Sequence, residues 1–456
     1  MGFGRISKVA AFVFNAFVII TCISMNGSAD ADDSQYAVVV STATQADQAW
    51  GAVVSALVAK HNAQVFTYEK NVDETLTQLQ TQFPRYSCFV ATREEANRAF
   101  VQHVHQLTRQ LDDDPYTDTL WGILTGFDAG DALRIAKHDQ PLTVHKVAAG
   151  TELAMEMVEE GIWYCELQQH RMVQKAKAGI IEEKKGPADT TKALVDTLND
   201  YQPDLFVTSG HATERNWQIG FRYRNGYFKS KAGQLSGLDT QGSVYSINSP
   251  NPKLYLPIGN CLMGNIDGPD AMALAWMHSA GVNQMIGYTV PTWFGYGGWG
   301  CLDYFIEQPG RYTFAEAFHA NHHALNHCLV TGEGNQRGLA FDRDVVALYG
   351  DPAWNARMAT QPNAYTQSLT ESDGTFTFTI EGNRGEASFQ PINNNGSQRG
   401  WRPMIAYLPY RITNTQVLEG DELSPVITDD FVLVPNPREH DPTQPYVVRF
   451  TADPMN

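Results

Sequence analysis

The chain has 456 residues, with 33 Lys and Arg against 50 Asp and Glu and a formal net charge of -17. At roughly 100–200 residues per domain that length holds about two to four domains, and 43% hydrophobic with 18% charged residues excludes wholesale disorder. The acidic excess, with no basic stripe to offset it, argues against nucleic acid as a partner, because such binding is driven by Lys and Arg displacing counterions from phosphates.

Residues 1–31 read as a signal peptide. Arg5 and Lys8 precede an apolar run over 9–20 that is interrupted by Asn15 and is too short for a membrane span, which takes about 20 residues. Small residues around Ser28, Ala29 and Ala31 offer a cleavage site. The expectation is an exported protein (periplasmic, cell-surface or extracellular) with no membrane span in its mature form. Cys22 follows the run without the small-residue context of a lipoprotein cysteine. Cys88, Cys165, Cys261, Cys301 and Cys328 remain, an odd count that leaves a free thiol in an oxidising compartment. Two disulfides plus one reactive cysteine is one arrangement, and the spacings leave the pairing open. No C-x-x-C occurs, so a zinc ribbon or thioredoxin-type site is unsupported.

An N-terminal α/β subdomain over 32–186 follows. Residues 36–40, 63–68, 86–91 and 120–127 read as strands, alternating with helices over 46–60, 72–82, 93–110 and 129–137. Such alternation predicts a parallel sheet covered by helices, with function at the carboxyl edge of its strands. Residues 140–190 are mostly helical in pattern and end in a charged stretch from Lys175 to Pro187. A second α/β subdomain spans 187–360, with helices over 190–199, 271–279 and 313–328 and strands over 205–208, 254–258 and 284–287. Over 361–456 the texture changes to short runs of period two, such as 376–380, broken by Pro, Gly and Asn. This predicts an all-β module, a sandwich, with Asn393–Asn394–Asn395–Gly396 as a turn or loop.

Two strands end in chemistry. Asp204–Leu–Phe–Val–Thr–Ser–Gly–His211 and Leu254–Tyr–Leu–Pro–Ile–Gly–Asn–Cys261 each set a reactive side chain just past an apolar strand. In a parallel sheet both would emerge at one edge. An imidazole beside a thiol takes its proton to make the nucleophilic thiolate and later returns a proton to the leaving amine, while backbone N–H groups near both residues can serve an oxyanion.

This pattern resembles the caspase-like (clan CD) cysteine peptidases, and in particular the gingipain-type family. Residues 271–289, the aromatic, glycine-rich stretch 291–300 read as a loop flanking the substrate pocket, and the closing segment 345–352 carry the likeness further. The resemblance implies a caspase-like α/β sandwich in two subdomains followed by an immunoglobulin-like β module. It implies a secreted cysteine endopeptidase that hydrolyses peptide bonds through a Cys261–His211 dyad and an acyl-enzyme thioester, acting on a peptide or protein substrate. The backbone N–H groups of Ala212 and Cys261 are then the oxyanion donors. Ala212 stands where the family usually has Gly, and Asn260 is not the commonest residue before the Cys. Asp128 and Glu214 are candidates to orient the imidazole. Asp128, Asp131 and Asp267 are candidates for a pocket carboxylate that takes a basic P1 side chain, and Trp293 for an aromatic wall. No cofactor is required, and calcium is expected at most as a structural ion, since no EF-hand loop is present.

Other readings compete. His319, His323 and His327 recur every four residues on one predicted helix and could share a metal, but Ala320 replaces the Glu of H-E-x-x-H. No G-x-S-x-G elbow supports a serine hydrolase. Cys301 is a rival nucleophile without a strand before it. The alternative function is a catalytically inactive caspase-like exported protein that acts in adhesion or as a scaffold.

Overall fold

Apolar runs that bury both faces need helices on each side of a sheet, and the first strand displays this residue by residue. In Tyr36–Ser41, Ala37 and Val39 join one core cluster while Tyr36, Val38 and Val40 join another. The first cluster takes Val101, Val104 and Leu107 from the helix Arg98–Leu107, and the second takes Val53 and Leu57 from Gln48–His61 with Ala132 and Ile135 from Ala129–Lys137. The computed structural model describes residues 1–2, 35–437, 441 and 443–455. Apart from residues 1–2, the leader over 1–31, with Cys22 and the cleavage-site residues, lies outside them.

The central sheet has 12 strands. Gln64–Tyr68, Tyr36–Ser41, Tyr86–Val90, Leu120–Leu124 and Val346–Tyr349 form one parallel block. Val282–Tyr288, Lys253–Pro257, Leu205–Thr208, Lys146–Ala149 and Glu160–Tyr164 form a second parallel block, and the hairpin Arg171–Lys175 and Ile181–Lys185 closes that side antiparallel. The blocks meet where Val282–Tyr288 pairs antiparallel with Val346–Tyr349. The carboxyl edge of one block is therefore the amino edge of the other.

Residues 140–190, read as mostly helical, are instead strands: Leu142–Val144, Lys146–Ala149, Glu160–Tyr164, Arg171–Lys175 and Ile181–Lys185. The sheet runs on without a break across residue 187. Local pattern misleads here because the last strand, IEEKK, is exposed at every position and has no buried face to give it a period of two. A separate antiparallel sheet of 5 strands grows from residue 212, ending with Val244–Ser246.

The C-terminal module has antiparallel sheets of 4 and 3 strands, as the alternation predicts. Phe376, Phe378, Ile380, Val448 and Phe450 of the first pack with Met404, Val432 and Val434 of the second. Among the described residues no helix is long and apolar enough to cross a membrane.

Among the described residues no disulfide joins Cys88, Cys165, Cys261, Cys301 and Cys328 to one another, so the arrangement with two disulfides is not formed among them. Cys301 lies fully buried in the helix Tyr296–Phe305, its thiol donating to the Gly297 carbonyl at 3.1 Å, and burial pushes that thiol up, which removes it as a rival nucleophile.

The histidines of Phe314–Thr331 are packing residues. His319 Nε2 accepts from the Trp121 N–H at 2.9 Å, His323 stacks on Phe431 with centroids 4.2 Å apart, and His327 Nδ1 lies 3.4 Å from the Tyr116 hydroxyl. Both ring nitrogens of His323 are buried without a hydrogen-bond partner. Burial holds His319, His322 and His323 neutral by driving their pKa values down, to about 3 for His319. A folded-state pKa below the unfolded value means that the unfolded chain takes up these protons and the fold does not. Stability is therefore lost as pH falls through the unfolded value of about 6.5, by about 2 kcal/mol per residue at pH 5. His323→Leu is expected to melt higher than wild type at pH 7 and to lose less stability between pH 7 and pH 5. Equal pH slopes in the two proteins would contradict this account.

Candidate active site

Residues Leu205–Phe206–Val207–Thr208 lie parallel and in register with Leu254–Tyr255–Leu256–Pro257. That register brings the two following turns to the same edge, and His211 and Cys261 line one cavity of about 330 Å³. The sequence expectation for these two residues rested on this adjacency.

The turns are tied together. The buried Tyr255 hydroxyl lies 2.9 Å from Thr208 Oγ1, the Thr208 hydroxyl donates to Asn260 Oδ1 at 2.6 Å, and Asn260 Nδ2 donates to the Gly210 carbonyl at 2.9 Å. Asn260 thus latches the turn of Cys261 to the turn of His211. Beyond it, the Leu262 N–H donates to the Val290 carbonyl at 3.1 Å, and Leu262 adopts a φ of 58°. Cys261 is half-buried, and its sulfur accepts from the Thr292 N–H at 3.2 Å. His211 is exposed and lies on the Phe221 ring, with centroids 4.8 Å apart. Ala212 opens a short hairpin, paired with Trp217.

The acids proposed from sequence are elsewhere. Asp128 caps the helix Ala129–Lys137, accepting from the Gly130 and Asp131 N–H groups, and Asp131 pairs with His278 at 2.9 Å. Both follow the strand Leu120–Leu124, which runs opposite to Leu205–Thr208, so its carboxyl end lies at the other edge of the sheet. The antiparallel pairing of Val282–Tyr288 with Val346–Tyr349, which local alternation does not disclose, sets these acids apart from His211. Asp267 is engaged by Arg215 at 2.6 Å on the surface. Glu214 sits in the turn of the hairpin Ala212–Gln218, where its carbonyl accepts from the Met272 N–H, and its side chain does not line the cavity.

The carboxylate that does line it is Glu166, 5% exposed, just beyond the strand Glu160–Tyr164. Its Oε1 accepts from the hydroxyls of Thr151 (2.8 Å) and Ser209 (3.2 Å) and from Asn395 Nδ2 (3.3 Å), while Oε2 is buried without a partner. Burial raises its pKa. The hydroxyl of Thr292, also lining the cavity, is a second unpartnered polar group.

Trp293, read as the wall, is 53% exposed and packs on Phe294 and Phe341. Trp299 lines the cavity in its place. The stretch 291–300, read as a loop, becomes helical from Tyr296, and its glycines reflect crowding: a Cβ on Gly298 would stand 1.9 Å from the Ile258 carbonyl oxygen. The helix start is held by Asp342, whose Oδ2 accepts from the Gly297 N–H at 2.9 Å and from the Tyr288 hydroxyl at 2.9 Å.

Two clusters have ligand atoms close enough to share a cation. In the first, His105, His322 and Asp344, the carboxylate is already paired with Arg109 at 2.8 Å and His322 Nε2 lies 2.9 Å from the Arg343 carbonyl. In the second, Asp112, Asp114 and Asp118, burial and then the charges of Asp112 and Asp114 raise buried Asp118 to about 10, and the three carboxylates already accept from the Asp114, Tyr116 and Leu111 N–H groups. Neither cluster lines the Cys261 cavity.

Compared with known protein families and with curated proteins, the sequence matches none. Among solved structures, the chain is similar to the Arg-specific cysteine proteinase gingipain R (RgpB), with a TM-score of 0.45 and 11% identity over 90% of this chain and 93% of that one. It is likewise similar to the complex of Porphyromonas gingivalis RgpB pro- and mature domains, with a TM-score of 0.44 and 11% identity over 89% and 94%.

Asn260→Leu keeps the side-chain volume and removes both ends of the latch, leaving the Gly210 carbonyl without this donor and the Thr208 hydroxyl with Tyr255 alone. A loss of about 2–4 kcal/mol is expected in denaturant unfolding, and an unchanged midpoint would mean that the latch does not hold this edge together.

Proposed function

We propose that the protein is an exported cysteine endopeptidase with Cys261 as nucleophile and His211 as general acid and base. The observation that carries this reading is the convergence of both side chains on one cavity, from strands in parallel register, with a backbone N–H aimed at the sulfur. In the reaction His211 takes the Cys261 proton and the sulfur attacks the scissile carbonyl. The N–H groups of Cys261 and Ala212 receive the oxyanion. His211 then gives the proton to the departing amine as the C–N bond breaks, leaving a thioester. Water, deprotonated by His211, hydrolyses the thioester and restores the thiol. No metal takes part in these steps.

In this reading Glu166 supplies the pocket carboxylate, and a basic P1 side chain is the ligand of its unpartnered Oε2. A buried anion with an open acceptor is costly until a cation meets it, which makes such a site discriminating.

The test is a thiol-directed peptide electrophile, read by mass spectrometry on the mature protein. Labelling is expected in wild type and lost in Cys261→Ala and His211→Ala. Absence of labelling, together with no cleavage of a mixed peptide library under reducing conditions, would return the chain to a non-catalytic role. Glu166→Gln is expected to lower kcat/KM for basic P1 peptides about 100-fold while sparing norleucine at P1. Because burial raises the Glu166 pKa, the ionised form that binds a cation grows in as pH rises through that raised value. KM for basic P1 peptides in wild type should therefore fall with rising pH, and a flat KM profile would contradict the assignment.

A further inference from the structure

Residues 395–397 belong to the C-terminal module, yet they line the cavity of His211 and Cys261. They are held there by contacts with the helix Tyr296–Phe305. Gly396 has a φ of 105° and lies so close to Trp299 that a Cβ would stand 2.6 Å from the indole ring. The Ser397 hydroxyl donates to the Phe294 carbonyl at 2.9 Å. Behind them, Arg399 pairs with Asp303 at 2.7 Å and with Glu307, Arg402 pairs with Asp303 at 2.9 Å, and Arg399 Nη1 donates to the Asn395 carbonyl at 2.8 Å. The side chains of Arg399 and Asp303 are 3% and 4% exposed. A buried, mutually satisfied ionic lock of this kind fixes a loop because withdrawing either partner strands a charge.

So fixed, Asn395 donates from Nδ2 to Glu166 Oε1, the oxygen that Thr151 and Ser209 also occupy, and the buried Oε2 alone is left without a partner. That division matters to a cation. A guanidinium presents a planar fork matched to two carboxylate oxygens, whereas an ammonium is a compact charge that one oxygen can receive.

We propose that Asn395 is a specificity-determining residue contributed by the C-terminal module. With Thr151 and Ser209 it commits Oε1, so that the pocket accepts a lysine side chain in preference to an arginine. The inference rests on Glu166 as the receptor for a cationic P1 residue. Its chemistry is that of a single unpartnered acceptor at a cavity that Asn395, Gly396 and Ser397 also line.

The experiment compares three peptides identical but for Lys, Arg or norleucine at P1, cleaved by the full mature chain. Wild type is expected to favour Lys over Arg by about 10-fold in kcat/KM. Asn395→Leu, close to isosteric and without a donor, should narrow that ratio. Asn395→Leu combined with Thr151→Val leaves only Ser209 on Oε1, and should bring the ratio near one by lowering KM for the Arg peptide with kcat little changed. A residue that merely packs would lower all three substrates together. A wild type that prefers Arg or treats Lys and Arg alike, with both above norleucine, overturns this proposal and leaves the Glu166 reading standing. An unchanged Lys-to-Arg ratio in the double variant also overturns it. A wild type that takes norleucine as readily as either basic residue overturns both.

Discussion

The parallel register of Leu205–Thr208 with Lys253–Pro257 is the constraint from which the site follows. Two short apolar strands side by side fix where their chains emerge, and the turns bearing His211 and Cys261 both follow from that edge. Backbone pairing alone would leave the turns free to splay. The run from Tyr255 through Thr208 and Asn260 to the Gly210 carbonyl closes them across the gap. All of its members but the Gly210 backbone are fully buried, so no water competes for these bonds and the geometry is set before any substrate arrives.

The reversal between Val282–Tyr288 and Val346–Tyr349 divides the work of the sheet. One edge gathers the carboxyl ends of the second block, including the turn bearing Glu166, and holds the reactive groups. The carboxyl ends of the first block lie opposite, where Asp128 caps a helix and Asp131 meets His278. Past the reversal, Asp351 secures the chain to the first block, where Tyr36, Lys60 and His61 all reach it. Burial alone would raise that carboxyl, but the hydrogen bond from His61 and the charge of Lys60 hold it well below the ordinary carboxylate range.

What was legible in the sequence was what local chemistry determines. The helix read over 129–137 has those bounds, since Asp128 caps it and Ala132, Ile135 and Ala136 bury one face. His211 and Cys261 were legible because each stands after a run with no other use than a buried strand. Glu166 was not, although Glu160–Gly161–Ile162–Trp163–Tyr164 before it carries the same kind of signal, because the pattern over 140–190 reads as mostly helical. The glycines of 296–300 read as loop because their reason is a neighbour, the Ile258 carbonyl, that no local pattern contains. Asn395 was legible only as a turn residue, since its partner on Glu166 comes from a separate layer of the fold.

The Gly396–Trp299 contact and the ionic lock behind it also bear on when the molecule acquires its cleft. During synthesis Cys261 and His211 leave the ribosome well before residues 395–402 do. Until that last segment docks, the pocket lacks a wall and Asp303 lacks its two arginines. A nascent chain therefore carries Cys261 for a time without the wall that encloses it, and completion of the β module marks the moment at which the cleft becomes a defined one.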